Sequence, residues 1–328
     1  MAEPALSVVI PVYDRAEIVG HAVRSVASSV RAAGVGRGRV ELIVVDDGSA
    51  DASAAAAEAA GRAAADVLEV KVLRQPNAGA AAARNRGVAA SRAAHVAFLD
   101  SDDIWFDWTV RTCLDAVEAF PDAALFFLRP CVFTAGGRPR PVRSPGLRFE
   151  PHDGFIAAAT AESSRSFGTN NVILRRSVFD RLGGFSADFR CMEDTDLFLR
   201  ADSEGRCIVM AGEDHLGLLR GGRDDNLTGD WACVSDGFGR MMRRESAGDY
   251  PGGRRGDPRR DRLLASNAVT VARLGFATGR PARAYGVYLR NLPLILRRRT
   301  HWALRLPLTP LLALLRPRSY RFRLRPAR

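Results

Sequence analysis

Two short acidic segments of the chain have residue types and spacings that could bind a cation or move a proton. In FLDSDDIW (98–105), an apolar run ends in three carboxylates, Asp100, Asp102 and Asp103. Such crowded oxygen ligands suit Mg²⁺ or Mn²⁺, whose sites use one or two protein carboxylates and complete their shell with substrate phosphates. The alternative for this segment alone is a solvated turn, with Asp103 capping the next helix.

The second acidic segment is MED, in which Glu193 and Asp194 stand at the predicted start of a helix. Acidic residues at this position can simply stabilise the helix by interacting with its dipole. A well-placed carboxylate can instead deprotonate a hydroxyl group as a general base. In isolation, the segment leaves both interpretations open.

Two further polar segments follow predicted strands. In DDGS (46–49), Asp46 can accept a hydrogen bond from a base N–H or a ribose hydroxyl, although an ordinary turn explains the segment equally well. In PNAGAAAARNRG (76–87), Gly79 and the alanines allow close approach of the backbone, and the start of a helix attracts phosphate. Arg84 lies one turn inside that helix. A packed alanine-rich helix explains the alanines but not the polar residues among them.

The elements that must position these residues alternate between apolar strands and helices. Such alternation predicts parallel strands with both faces covered, and ligands bind beyond the carboxyl ends of strands in sheets of this kind. The predicted strands are 6–13, 40–47, 67–75, 95–100, 124–133, 170–176, 207–212 and 215–220. The predicted helices are 15–30, 51–65, 79–91, 107–120, 193–205, 261–277, 281–291 and 300–315.

Taken in order, the segments resemble the inverting glycosyltransferases of family 2, over about residues 6–230. The 92 residues between Asp102 and Asp194 fit that pattern. The resemblance implies an α/β, GT-A (Rossmann-like) fold, with a mostly parallel central sheet flanked by helices. The matching segments are VVIPVYDR (8–15), ELIVVDDGSAD (41–51), RQPNAGAAAARNRG (74–87), FLDSDDIW (98–105), NNVILRRSVFDRLGGFSADF (170–189) and MEDTDLFLRA (192–201).

The resemblance also implies an activity. It predicts transfer of a sugar from a nucleotide-diphospho-sugar, with a UDP-sugar expected, to a hydroxyl of a glycan or lipid-linked acceptor, in cell-surface polysaccharide or glycolipid synthesis. It implies Mn²⁺ or Mg²⁺ as cofactor. The alternatives are a nucleotide-sugar-binding protein without turnover and a nucleotidyltransferase. The latter would be expected to carry a Gly-rich loop with a following lysine near the N-terminus, which IPVYDRAEIVG does not have.

The roles implied by the resemblance are assigned residue by residue. Asp194 is expected to be the catalytic base, Asp102 to bind the metal, and Asp100 to lie near the ribose and the metal. Trp105 and the turn Gly183-Gly184-Phe185 are expected to shape the sugar and acceptor side. The remaining residues expected to bind the nucleotide sugar are Pro11, Tyr13, Asp46, Asn77, Gly79 and Arg84.

One part departs from the family pattern. Members often carry a histidine in a basic segment before an Asn-Leu-Thr type of turn, and LLRGGRDDNLT (218–228) has none. Arg220 or Arg223 is expected to serve the diphosphate instead.

Charge is divided unevenly along the chain. Residues 1–253 hold 29 basic and 35 acidic residues, a net charge of −6, whereas residues 254–328 hold 19 arginines and two aspartates, a net charge of +17. We therefore predict a nucleotide-sugar-binding half (1–110), an acceptor-binding half of the same domain (111–253) and a basic helical tail (254–328). Aromatic residues and leucines among the tail arginines indicate an anionic membrane surface as partner, with a packed appendage as the alternative. The acidic body argues against nucleic acid.

The five cysteines are odd in number and widely spaced, and no CxxC occurs. This argues against a disulfide framework or structural zinc and suits a reducing compartment. The N-terminus has no signal-peptide pattern. We therefore expect a cytoplasmic protein, peripheral on the inner face of the plasma membrane if the tail binds lipid.

Overall fold

The structure is a computed structural model that describes residues 3–143, 146–161, 166–220, 229–253 and 257–298. Its strands are β1 (Leu6–Val12), β2 (Val40–Asp46), β3 (Glu69–Arg74), β4 (His95–Phe98), β5 (Ile104–Trp105), β6 (Leu125–Phe127), β7 (Pro130–Thr134), β8 (Arg148–His152), β9 (Val172–Arg175), β10 (Cys207–Ala211) and β11 (Leu216–Arg220). Its helices are α1 (Val19–Ala33), α2 (Ser53–Ala63), α3 (Ala80–Ala89), α4 (Thr109–Ala119), α5 (Phe155–Ala161), α6 (Arg176–Arg181), α7 (Glu193–Arg200), α8 (Trp231–Ala247), α9 (Pro258–Ala277), α10 (Pro281–Arg290) and α11 (Leu292–Arg298).

The central sheet has eight strands in the order β3-β2-β1-β4-β9-β6-β10-β8. The neighbours from β3 to β4 are parallel, and so are β6 and β10. Strand β9 runs antiparallel to both β4 and β6, and β8 forms an antiparallel edge. A second sheet has the order β5-β11-β7. The mostly parallel α/β architecture predicted from the strand–helix alternation is confirmed.

Both faces of the central sheet are covered. In β1, Val9 belongs to the hydrophobic cluster that includes α3 and α7, whereas Val8 and Ile10 belong to the cluster that includes α1 and α4. Alternate residues of a strand face opposite sides, and both sides here are apolar. This explains why the strands form nearly continuous apolar runs in the sequence.

The predicted strand 124–133 is two strands in two different sheets. The Leu128 N–H donates to the Asn171 carbonyl at 2.8 Å, whereas the Arg129 carbonyl accepts from the His215 N–H at 2.7 Å. The chain therefore exchanges its hydrogen-bonding partner between β6 and β7. The sequence pattern did not predict this exchange, because apolar residues occur in both strands.

The helices that follow residue 257 share the main core. The Trp231 indole N–H donates to the Val271 carbonyl at 3.0 Å, and Arg260, 1% exposed, pairs with Glu245 at 2.8 Å. At Gly275 a Cβ would lie 2.6 Å from the Trp231 indole nitrogen, so α9 packs closely on α8. The predicted helices 261–277 and 281–291 are confirmed by α9 and α10. The predicted helix 300–315 lies outside the described residues, and the domain boundary at 253 stays a prediction.

The expectation about the cysteines needs a correction. Cys191 and Cys233 form a disulfide that joins the segment before α7 to the first turn of α8. Forty-two residues separate them, and tertiary packing brings them together. At Gly237 of α8 a Cβ would lie 2.2 Å from the Cys191 carbonyl oxygen, so only glycine permits this approach. Sequence spacing alone gave no sign of the pairing.

Among the described residues, none of the helices combines the length and the apolar character that crossing a bilayer requires.

Candidate active site

The polar segments identified in the sequence meet at one edge of the central sheet. Strands β1, β2 and β4 are parallel neighbours, so their carboxyl ends lie side by side. The loops that follow β1 and β2 are also joined directly. The Asp47 N–H donates to the Val12 carbonyl at 2.9 Å, and the Asp14 N–H donates to the Ser49 hydroxyl at 3.0 Å. The edge therefore presents one continuous polar surface.

Asp46 lies at the end of β2 and is 5% exposed. Its carboxylate accepts a hydrogen bond from the Ser49 N–H at 3.1 Å. Pro11 is buried in the adjacent strand β1, opposite Val45, and Tyr13 just beyond it is 47% exposed. The edge thus combines a buried acceptor with an accessible ring, the two features expected of a pocket for a planar base.

Asp47, which the sequence analysis did not assign, orders the next loop. Its carboxylate accepts hydrogen bonds from Gln75 Nε2 at 2.7 Å, the Ala78 N–H at 2.9 Å and the Gly79 N–H at 2.8 Å. Gly79 has a φ of 90°, which favours glycine, and it precedes α3. Asn77 and Gly79 are both exposed. Asp47 therefore fixes the loop that presents Asn77, Gly79 and the N-terminus of α3.

Asp100, Asp102 and Asp103 form a carboxylate triad. Each offers an oxygen that lies within 4.8 Å of those of the other two. Asp103 is 3% exposed, and its two oxygens accept from the Leu219 N–H at 2.9 Å and Asn170 Nδ2 at 2.7 Å. Because both of its oxygens are occupied, Asp103 fixes the loop between β4 and β5, and Asp100 and Asp102 are the candidate cation ligands.

The electrostatics of the triad fit a divalent cation. Burial, followed by the charge of Asp100, raises the pKa of Asp102. The same causes, together with Asp102, raise the pKa of Asp103 well above its usual value. The charges of Arg15 and Arg220 act on the Asp102 pKa in the lowering direction. The triad therefore carries negative charge that its surroundings compensate only in part, and hard oxygen ligands of this kind suit Mg²⁺ or Mn²⁺.

Arg84 lies between the triad and α7. Its Nη2 is 2.9 Å from Asp100 Oδ1, its Nη1 is 2.9 Å from Glu193 Oε1, and its side chain is 7% exposed. The sequence interpretation placed this residue along the nucleotide. In the structure its guanidinium pairs with these two carboxylates.

Asp194 lies in the first turn of α7 and is partly exposed. Its Oδ1 accepts from the Thr195 N–H at 2.6 Å, and at Gly168 a Cβ would lie 3.8 Å from its Oδ2. Burial raises the pKa of Asp194, and burial with the charge of Asp194 raises the pKa of Glu193 to about 7. A carboxylate with a raised pKa is a stronger base, which suits removal of a proton from a hydroxyl.

Two aromatic side chains assigned to the sugar and acceptor side are instead buried in the core. Trp105 is 2% exposed, and Phe185 is 1% exposed with its ring 5.4 Å from that of Phe98. The Asn85 side chain donates to the Phe185 carbonyl at 2.8 Å and accepts from its N–H at 2.9 Å. At Gly184 a Cβ would lie 2.7 Å from Asn85 Oδ1. Asn85 therefore fixes the glycine turn through the Phe185 backbone. The expectation that the Trp105 and Phe185 side chains face the sugar and acceptor was wrong.

The two arginines expected at the diphosphate have different outcomes. Arg220 ends β11, and its charge acts on Asp102. Arg223 lies outside the described residues.

Comparison with known proteins agrees with this geometry. The family described as Glycosyl transferase family 2 matches residues 7–183, more than half of the chain. Among curated proteins, the succinoglycan biosynthesis protein ExoU of Rhizobium meliloti (strain 1021) is 29% identical over 204 residues, 60% of this chain and 57% of ExoU. The chain thus spans less than two thirds of that relative.

Among solved structures, S. aureus TarS 1-349 in complex with UDP-GlcNAc has a TM-score of 0.64 at 16% identity, over 97% of this chain and 93% of TarS. The mannosyltransferase PcManGT from Pyrobaculum calidifontis, in complex with GDP-Man and Mn²⁺, has a TM-score of 0.58 at 15% identity, over 97% of this chain and 82% of that one. These likenesses confirm the GT-A fold.

Proposed function

Because the chain belongs to glycosyl transferase family 2, we propose that it is a metal-dependent, inverting glycosyltransferase that moves a sugar from a nucleotide-diphospho-sugar to an acceptor hydroxyl. The observation that carries this proposal is the link from Asp100 through Arg84 to Glu193, the neighbour of Asp194. The carboxylates proposed to bind a cation and the residue proposed as the base are thereby brought close together.

The donor is proposed to bind across the carboxyl ends of β1, β2 and β4. Asp46 would accept a hydrogen bond from the base, with Pro11 and Tyr13 beside it, and the loop of Asn77 and Gly79 would lie along the nucleotide. A UDP-sugar is the proposed donor, supported by the UDP-GlcNAc complex of TarS. The GDP-Man complex of PcManGT makes a guanine nucleotide the comparison to test.

In the proposed reaction Asp194 accepts the proton of the acceptor hydroxyl. The hydroxyl oxygen forms a bond to the anomeric carbon while the bond from that carbon to the diphosphate oxygen breaks, so the configuration inverts. Asp100 and Asp102 would hold Mn²⁺ or Mg²⁺, which stabilises charge on a leaving diphosphate. Arg220, whose charge already acts on Asp102, would add positive charge on the same side.

The acceptor is proposed to be a glycan or a lipid-linked glycan of the cell surface, in line with the name of ExoU, a succinoglycan biosynthesis protein. A nucleotide-sugar-binding protein without turnover is the second candidate. The link from Asp100 through Arg84 to Glu193, the neighbour of Asp194, supports turnover, since binding alone needs no base beside the donor site.

The test is a screen of UDP- and GDP-sugars for hydrolysis or transfer, with Mn²⁺, with Mg²⁺ and with EDTA. We expect turnover with a UDP-sugar only when a divalent cation is present. NMR of the product from an α-linked donor should show a β linkage. Nucleotide binding without any turnover would favour the binding protein, and a retained configuration would exclude direct displacement.

The basic tail is proposed to bind an anionic membrane surface. Leu289 and Leu296, on the last two described helices, are 60% and 49% exposed, and Arg290 and Arg297 follow them directly. Residues 299–328 add eight arginines and no acidic residue. Each basic residue near such a surface contributes about 1 kcal/mol.

Because α9 shares the core, the tail is best tested by ending the chain at Arg298 rather than at 253. We expect the shortened chain to keep its melting temperature and its nucleotide affinity but to lose most binding to vesicles that contain phosphatidylserine. Sedimentation at low and high salt is the measurement, because salt weakens only the electrostatic part. Equal sedimentation of the two chains would remove the membrane proposal.

A further inference from the structure

One arginine connects the two acidic segments of the proposed site. Asp100 and Glu193 are far apart in the sequence, yet each lies 2.9 Å from a different terminal nitrogen of Arg84. The Arg84 side chain is 7% exposed, and that of Glu193 is 15% exposed. A forked guanidinium can bind two carboxylates at once in a fixed geometry, which the single ammonium of lysine cannot reproduce.

The helix that carries Arg84 is packed tightly against the sheet. Arg84 lies in α3, whose Gly87 packs on β1 so closely that a Cβ there would lie 2.3 Å from a methyl carbon of Val9. Strand β1 pairs directly with β4, which leads to Asp100. The backbone of Arg84 is therefore fixed to the same sheet that carries the candidate cation ligands.

The second carboxylate that Arg84 binds, Glu193, lies at the start of the helix that carries the proposed base. Glu193 is the first residue of α7 and Asp194 the second. Met192 before them has a φ of 65°, a left-handed conformation that is unfavourable for methionine and must be held by its surroundings. Without the positive charge of Arg84, the carboxylates of Asp100, Glu193 and Asp194 would repel one another, and this turn would lose the ion pair that ties Glu193 to α3.

We propose that Arg84 is a positioning residue that couples the donor side of the site to the base. Arg84 holds the carboxylates of Asp100 and Glu193 at a fixed separation. Binding of a cation and a diphosphate beside Asp100 would therefore also fix the start of α7, which carries Asp194. This proposal rests on the proposed glycosyltransferase function. Arg84 would act by holding Asp100 and Glu193, and Glu193 would connect Arg84 to the helix that carries Asp194.

The first test compares Arg84→Lys with Arg86→Lys, a matched control on an exposed residue of the same helix. In Arg84→Lys we expect kcat to fall roughly 10²-fold, the loss typical of a misplacement of about 1 Å. The donor KM should change less than about threefold, because the nucleotide pocket of Asp46 and Tyr13 is untouched. Arg86→Lys should match the wild type. A loss that appears only in the donor KM would overturn the proposal, because it would mean that Arg84 simply binds the nucleotide.

The second test needs no turnover. Hydrogen exchange of the amides of residues 193–198 is measured with and without Mn²⁺ and UDP. In the wild type and in Arg86→Lys we expect the added ligands to slow this exchange. In Arg84→Lys and in Glu193→Gln they should bind without slowing it. Slowed exchange in all four proteins would overturn the coupling.

The two proposals can fail separately. A wild-type chain that binds no nucleotide would overturn the proposed function. A chain that binds UDP and Mn²⁺ but shows equal protection with and without the Arg84 fork would overturn only the coupling. If Arg84→Lys does not fold, the comparison of Glu193→Gln with the wild type decides the outcome.

Discussion

Two groups of acidic residues, one in the triad of Asp100, Asp102 and Asp103 and the other centred on Asp196, show how differently this fold treats buried negative charge. Asp196 is 0% exposed, and its carboxylate accepts from Arg200 at 2.9 Å, Arg244 at 2.7 Å and Tyr250 at 3.0 Å. The triad is paired less completely, because Asp100 is 2.9 Å from Arg84 whereas Asp103, among the described residues, accepts hydrogen bonds only from uncharged groups, and burial and mutual repulsion raise the pKa of Asp102 and Asp103.

The same contrast occurs within a single helix. Asp194 and Asp196 are two residues apart in α7, and the 3.6-residue period turns them to different sides. Asp196 faces the core and joins α7 to Arg244 of α8, whereas Asp194 faces the site beside Gly168. Fully paired charge here marks structure, and partly compensated charge marks the proposed function. The variants below would break or sharpen this difference.

The largest expected effect is on turnover when a triad ligand is lost. Asp102→Asn keeps the shape of the side chain but removes its charge. Metal ions supply several kcal/mol of charge stabilisation, so we expect a fall of about 10³-fold or more in kcat. The measurement is turnover across a Mn²⁺ titration. Asp122→Asn, whose side chain is 92% exposed, is the control and should remain active. Full activity of Asp102→Asn in EDTA would contradict the metal assignment.

The next effect concerns the base. Asp194→Asn removes basicity while preserving size, and a general base contributes roughly 10²–10⁴-fold in rate. We expect that loss in kcat, with UDP affinity unchanged by calorimetry. Unchanged kcat would show that another group accepts the proton.

The effect on the compensated aspartate should be structural. Asp196→Asn leaves Arg200 and Arg244 without their shared carboxylate, and breaking a buried ion pair from one side costs about 3–5 kcal/mol. Urea denaturation should show this loss in the free energy of unfolding. Asp188→Asn is the control, because that side chain is 71% exposed and lies 3.5 Å from Arg244, farther than Asp196 does. It should cost no more than about 1 kcal/mol. Equal losses in the two variants would remove the contrast.

The smallest effect has the opposite sign. In the metal-free protein, Asp102→Asn should raise stability, because it removes a charge that burial and then Asp100 disfavour. A gain of about 1 kcal/mol corresponds to no more than roughly 2–4 °C in melting temperature. Calorimetry with EDTA measures it, and added Mn²⁺ should stabilise the wild type but not the variant. A lower melting temperature in EDTA would show that the triad is a structural cluster like that of Asp196.

The amino-acid sequence by itself determined the alternating strands and helices of the first half of the chain and the positions of the acids at strand ends. These depend on local periodicity and on the chemistry of neighbouring residues, which a linear pattern contains. The helix over 193–205 illustrates this. Leu197, Phe198 and Ala201 have the spacing of one helix face, and all three are buried. The family assignment followed from the same ordered segments.

Only the tertiary structure decided which polar residues serve each other. Asp47 and Asp103 are adjacent to predicted site residues, yet their carboxylates hold a loop and a strand instead. Arg84 links Asp100 to Glu193, and Cys191 pairs with Cys233. Each of these roles depends on a partner remote in sequence. Local spacing records what a side chain can do, but its partner is set by how helices and strands pack, which one sequence does not spell out.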